Sequence, residues 1–411
     1  MSMQETAGGK LASANGETLS MPCQGRSAGR RARFTMIRRA AAGAGMAVAL
    51  FALDAPLAHA DQVDDYVHAE MAKRKIPGMS LAVIRDGKVL KEGAYGVASI
   101  ELNVPVTLDT SFVLASSTKV FTASAVMLLV QDGKITLDEP VSKILPQLPA
   151  AWSGVTVRNC LSHTSGIPDV MVDDINVTAL AGDREEMFEK LGKLPVHPIG
   201  AEVAYNQTGY ALLGMVIEKI SGMRYEDFVQ RRIFAPANMT HASFGDAWAI
   251  VPGRSDLYTA DDITKDRTRL ALKDGRPVML TDKILRYGSK AMPDYLAPAG
   301  LLNGSLRDLV NWEETMEQGK LLTKASLRDM ATPAKLNDGK NGDFGLAFLI
   351  MPLGPYQTVS YGGGAAVCRL SIPEKHLTVI VLTNLQASQP QAIAAGIMAL
   401  YEPALAEEDS H

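Results

Sequence analysis

The sequence predicts an α/β part plus an all-α part, with a mainly antiparallel sheet flanked by helices and assembled from both ends of the mature chain around an inserted helical domain. Three observations carry this. Runs rich in β-branched residues and bounded by turn signals lie between 79 and 99, and a second β-rich group begins at Phe344. Between them, from about 156 to 235, apolar residues recur at helical spacing. The length of 411 residues suits two packed domains or one elaborated domain, and 47% hydrophobic with 21% charged residues excludes a disordered or fibrous chain. A net charge of −4 without a long basic run gives no footprint for nucleic acid, and three cysteines are too few for a disulfide scaffold.

Residues 1–60 read as a leader. Arg38-Arg39 precede the apolar run AAAGAGMAVALFAL, and Ala58-His59-Ala60 has the small residues of a cleavage site, so an export signal over about 36–60 is expected, with Met36 the more natural start. The apolar run is too short to cross a bilayer, so no stable membrane anchor is expected. Export to the periplasm or medium would leave 351 residues with a charge of about −8, which disfavours anionic partners. Cys160 and Cys368 would then meet an oxidising compartment, where buried free thiols remain the preferred reading over a disulfide.

In the mature chain, Val63, Tyr66, Val67 and Met71 form a helical stripe before Pro77. The segments MSLAVIR and KVLKEGAYGVAS flank the Asp86-Gly87 turn signal as a hairpin. KVFTASAVMLLVQDG follows as an apolar helix stopped by Gly133. GYALLGMVIEKISG and YEDFVQRRIF are the clearest helices of the middle segment, and RLALKDGRPVML is a short hairpin candidate. Ser305 and Asp308 make a capping-box-like start to a helix over LVNWEETMEQG. Four β-rich runs from Phe344 to Asn384 and a terminal helix over AIAAGIMALYEPAL complete the chain. The corresponding domain reading places 61–115 and 296–411 in the sheet part and 116–295 in the mostly helical part.

No Gly-x-Ser-x-Gly, His-Glu-x-x-His or Cys-x-x-Cys occurs, which leaves three segments to carry chemistry. Ser116 and Lys119, at i and i+3 on one helical face, can meet, and a desolvated lysine can take the proton of a serine hydroxyl. By itself this four-residue match also fits an N-capping serine beside a surface lysine, but its apolar flanks favour burial of the pair. Tyr205 can act as a phenolate base or as a proton relay, and Gln207 can hydrogen-bond a substrate carbonyl or orient the lysine. Tyr361-Gly362-Gly363-Gly364 ends one strand and enters the next, where glycines admit substrate and free a backbone N–H for an oxyanion.

In order and spacing, FVLASSTKVFTASAVMLLVQDGKITLDEPV, VRNCLSHTSGIPD, YNQTGYALLGMVIEKISG, APAGLLNGSLRDLVNW and YGGGAAVCRLSIPEKHLTVIVLTN resemble the serine β-lactamase and penicillin-recognising superfamily, in its class C branch with family VIII carboxylesterases and D-stereospecific peptidases. The resemblance implies a β-lactamase/transpeptidase-like fold with the active site between sheet and helices. It implies Ser116 as the acylated nucleophile, Lys119 and Tyr205 as shared base, and the Ser116 and Gly364 N–H groups as oxyanion hole. Gln207, Tyr361, Gly362 and Gly363 become substrate contacts, and no cofactor or metal is implied. Two positions depart from the pattern: Gln207 stands where the family usually has Asn, and Tyr361 where it has a lysine or histidine. A neutral tyrosine cannot complement a substrate carboxylate as a cation does. The expectation is therefore a carboxylesterase for short acyl esters; a β-lactamase or a D-amino acid peptidase, including a DD-carboxypeptidase, is the alternative, and a non-catalytic penicillin-binding-like module a second. His163, in SHTSGIPD, falls in a loop whose family role is structural.

Overall fold

The computed structural model describes residues 55–171, 182–246, 248–260, 272–273, 276–277, 284–286, 292–364 and 366–405. The expected leader up to residue 54 and the turn of the hairpin candidate at 274–275 lie outside them; Leu272–Lys273 and Arg276–Pro277 do pair antiparallel.

After helix α1 (Ala55–Arg74), strand β1 (Gly78–Arg85) turns through Asp86 and Gly87 into β2 (Lys88–Ser99). Both turn residues have positive φ, 53° and 68°, which matches the twist that a two-residue hairpin needs. A short β3 (Val104–Pro105) follows, then β4 (Phe112–Ala115) and helix α2 (Thr118–Gln131). Next come α3 (Val157–Leu161), α4 (Gln207–Ser221), β5 (Ser243–Phe244), α5 (Ala297–Gly300), β6 (Leu302–Gly304) and α6 (Leu306–Glu317). Strands β7 (Leu349–Leu353), β8 (Tyr356–Gly363), β9 (Val367–Ile372) and β10 (Leu377–Thr383) lead to α7 (Pro390–Tyr401).

Seven strands form one antiparallel sheet in the order β7-β8-β9-β10-β1-β2-β3. Its centre joins the two ends of the chain, since β1 pairs with β10 from Met79 opposite Thr383 to Arg85 opposite Leu377. Leu81 and Val83 pack with Val63, Val67, Ile393 and Ile397 on one face, whereas Ala82 and Ile84 join the core shared with the helices on the other. This period of two explains why MSLAVIR is apolar at nearly every position: both faces of β1 are covered.

Helix α2 is buried from Thr118 to Leu129, the environment that an all-round apolar helix requires. Phe121 packs on Trp312 of α6 with ring centroids 4.8 Å apart and planes tilted by 45°, and meets Phe234 edge-on at 5.8 Å. A capping box at Ser305 and Asp308 opens α6 as its sequence indicates. YEDFVQRRIF differs from the single helix expected of it. Tyr225–Val229 is α-helical, and Gln230–Phe234 widens to a π-helical turn, which lets the adjacent Ile233 and Phe234 both enter the core. Cys160 and Cys368 are buried free thiols in different cores.

Phe121 joins α2 to the rest of the helical layer, so Phe121→Ala should lower unfolding stability in urea by about 3–5 kcal/mol with the slope unchanged. A loss below about 1 kcal/mol would show that the aromatic cluster is not what holds α2.

Candidate active site

The turn between β4 and α2 presents Ser116. Ala115 has φ 45°, a left-handed conformation that alanine adopts only under constraint, and its carbonyl accepts the Thr118 hydroxyl at 2.5 Å. One turn into the helix, Lys119 is 2% accessible, and its Nζ lies 3.4 Å from Ser116 Oγ. Nζ also donates to the Ala299 carbonyl of α5 at 2.6 Å and stands 4.8 Å from the Tyr205 ring centroid. Burial pushes the Lys119 pKa down to about 7; the carboxylate of Asp169 pulls the other way and only partly offsets it. Near neutrality a substantial fraction of Lys119 is therefore a free amine, able to take the Ser116 proton.

Tyr205 precedes the N-cap of α4, and its residue is 43% exposed on the open side. Its hydroxyl end is crowded by protein, beside the Ser116 hydroxyl and the Gln207 side chain. Desolvation raises its pKa to about 12, against the lowering effect of the Ser116 hydrogen bond. The phenolate expected as one option for Tyr205 is thus disfavoured, and the relay option remains. Asn206, between Tyr205 and Gln207, is the helix cap: its Oδ1 accepts from Gly209 N–H at 2.7 Å and its amide donates to the Ile167 carbonyl at 2.8 Å.

Strand β8 brings the glycines. A Cβ on Gly363 would fall 2.0 Å from the Leu114 carbonyl oxygen and 2.9 Å from Ser116 N, so only glycine permits this approach. Gly364, with φ 56°, follows it and lies against Ala115. Among the described residues neither the Ser116 N–H nor the Gly364 N–H has a backbone acceptor, which leaves both free for an oxyanion. Gly362 faces the other side of the sheet, towards Gln391 of α7.

Tyr361 departs from its expected role. Its ring is 6% exposed and packs on Phe348, with the Arg369 guanidinium 5.9 Å from its centroid. Burial, then the neighbouring Glu313 carboxylate, holds its hydroxyl well above the ordinary phenol range. The hydroxyl is therefore enclosed instead of being offered to substrate. Arg369 supplies no free cation either, because Glu313 binds it through Nε at 3.0 Å and Nη2 at 2.7 Å.

Two residues matter more than the sequence suggested. Asp169 accepts the Gln207 N–H at 2.9 Å and is the charge that acts on Lys119. His163 is buried, with its ring 4.4 Å from that of Tyr205. Both belong to SHTSGIPD, whose resemblance to a loop of structural role gives no hint of these contacts.

A seven-stranded antiparallel sheet backed by helices, with a serine–lysine pair at the turn into a buried helix, defines the class to which this chain belongs: it is a member of the β-lactamase family, whose family model, described as Beta-lactamase, matches residues 63–401. It is similar to a penicillin-binding protein of Bacillus subtilis (strain 168), 29% identical over 283 residues, which are 68% of this chain but only 60% of that relative's length. Among solved structures it is similar to the octameric penicillin-binding protein homologue from Pyrococcus abyssi, with a TM-score of 0.65 and 28% identity over 83% of this chain and 77% of that one. EstCE1, described as a hydrolase with promiscuous acyltransferase activity, shares the fold, with a TM-score of 0.69 and 20% identity over 86% of this chain and all (100%) of its own.

Gly363→Ala should separate β8 from the turn at Ser116. Labelling of Ser116 by a fluorophosphonate probe is expected to fall at least about a hundredfold while the protein stays folded, the scale set by loss of one oxyanion donor. Labelling within about threefold of the unsubstituted chain would contradict the close approach.

Proposed function

We propose that this chain is a serine hydrolase that forms an acyl-enzyme on Ser116 and cleaves short-chain carboxylic esters. The observation that carries the reading is the buried Lys119 amine 3.4 Å from the Ser116 hydroxyl, with its pKa depressed to about 7. The amine takes the Ser116 proton, directly or through the Tyr205 hydroxyl, as Oγ bonds to the ester carbonyl carbon. The Ser116 and Gly364 N–H groups hold the oxyanion that results. Collapse breaks the bond to the alcohol oxygen, which receives the proton held by Lys119 and Tyr205. A water then donates a proton to the same pair and adds to the acyl carbon; collapse breaks the bond to Ser116 Oγ, which takes that proton back, and the acid is released.

The preference for neutral esters rests on Tyr361 and Arg369. The tyrosine in place of a cation is enclosed, and the guanidinium beside it is already paired with Glu313. A substrate carboxylate, as in penicillins or free D-amino acid peptides, gains no new charge partner there. The similarity to EstCE1 is compatible with this reading but, at 20% identity, carries only the fold.

A panel of p-nitrophenyl esters, nitrocefin and a D-alanyl peptide, read by turnover and by intact mass, tests the proposal. Acetate or butyrate esters should leave an acyl adduct on Ser116, and Ser116→Ala should lower turnover by about 10⁴-fold or more, as expected for removal of a nucleophile. Nitrocefin or peptide turnover equal to the ester rate would reverse the substrate order. Absence of any adduct in folded protein would remove the hydrolase assignment.

A further inference from the structure

His163 grips, one after another, the three residues centred on Tyr205. Its main-chain oxygen accepts the Ala204 N–H at 2.8 Å, and its Nδ1 accepts the Asn206 N–H at 3.0 Å. Between these two bonds its ring lies against the Tyr205 ring, with centroids 4.4 Å apart and planes 37° from parallel. From this three-point contact we propose that His163 is the positioning residue for Tyr205, setting where the phenol oxygen stands beside the Ser116 hydroxyl. The proposal rests on the reading of Tyr205 as a proton relay to Ser116.

The surroundings of His163 fit this role better than that of a loop filler. Its backbone is left-handed, φ 60°, where glycine or asparagine would be less strained. Its ring is 1% exposed and is held on further sides by Tyr210 at 5.2 Å and by Phe344, edge-on, at 4.9 Å. Accepting at Nδ1 leaves the proton on Nε2, which has no hydrogen-bond partner among the described residues. Burial, then the neighbouring Lys119, holds its pKa down at about 3, so it stays neutral and does not compete with Lys119 for a proton. Tyr205 needs such support. The residue is open on one side, and a ring not held on the other would lose the alignment that proton transfer demands.

Two substitutions separate the contacts. His163→Phe keeps a ring for stacking and loses the Nδ1 acceptor; His163→Asn tolerates the left-handed backbone and keeps a polar acceptor but loses the stack. Each is made alone and with Tyr205→Phe, and kcat and KM for p-nitrophenyl acetate are measured beside the melting temperature. Each single variant should lower kcat about tenfold or more with KM within about twofold, the size expected of a small misplacement at a reacting centre. In the Tyr205→Phe background neither should lower kcat by more than about a further twofold, because the residue through which His163 acts is already disabled. Multiplying losses would overturn the proposal, as would an unchanged kcat in both single variants or failure of both to fold. An unsubstituted chain that forms no acyl adduct overturns the hydrolase reading and the positioning role together, whereas adduct formation with multiplying losses removes the positioning role alone.

Discussion

A lysine amine kept out of water is the constraint around which this molecule is arranged. An ammonium group transferred into a protein interior strongly favours losing its charge, and Lys119, 2% accessible, does so with a pKa near 7. Burial of that kind needs walls on every side. Helix α2 is enclosed from Thr118 to Leu129, α5 supplies the Ala299 carbonyl, and the faces of Tyr205 and Tyr210 stand 4.8 and 5.4 Å from Nζ. Asp169 opposes that loss of charge and only partly offsets the effect of burial.

The walls come from distant parts of the chain, and the fold exists to bring them together. The pairing of β1 with β10 joins the two ends of the molecule, and β8 in the same sheet delivers Gly363 to the turn at Ser116. Segment 163–170 holds segment 204–208 by a row of hydrogen bonds: His163 to Ala204 and Asn206, Ile167 to Asn206, Asp169 to Gln207, and Val170 to Thr208. The serine–lysine turn, the tyrosine and the glycine edge thus depend on contacts between segments that are far apart in sequence. None of the three could keep its geometry alone.

This division also decides what could be read beforehand. Local rules mark the hairpin at Asp86-Gly87, the capping box at Ser305 and the serine–lysine spacing, because turns, caps and helical faces are set within a few residues. The order of motifs along the chain placed Tyr205 and Gly364 beside them. Tyr361 was different: a strand-end tyrosine reads as a substrate contact until β9 puts Arg369 opposite it and α6 brings Glu313 to enclose it. The contacts of His163 and Asp169 are illegible in the sequence for the same reason, since their partners at 204–207 lie some forty residues away and no periodicity links them.

The proposed base role of Lys119 depends on the state of one nitrogen. Folded protein carrying ε-¹³C-lysine, with Lys119→Arg used to assign the resonance, allows that nitrogen to be titrated directly. A midpoint near pH 7 is expected for Lys119, as against the ordinary lysine value of 10.5. A Lys119 resonance that does not move until about pH 10 would mean that the amine is charged at neutrality, and would contradict its role as the base for Ser116.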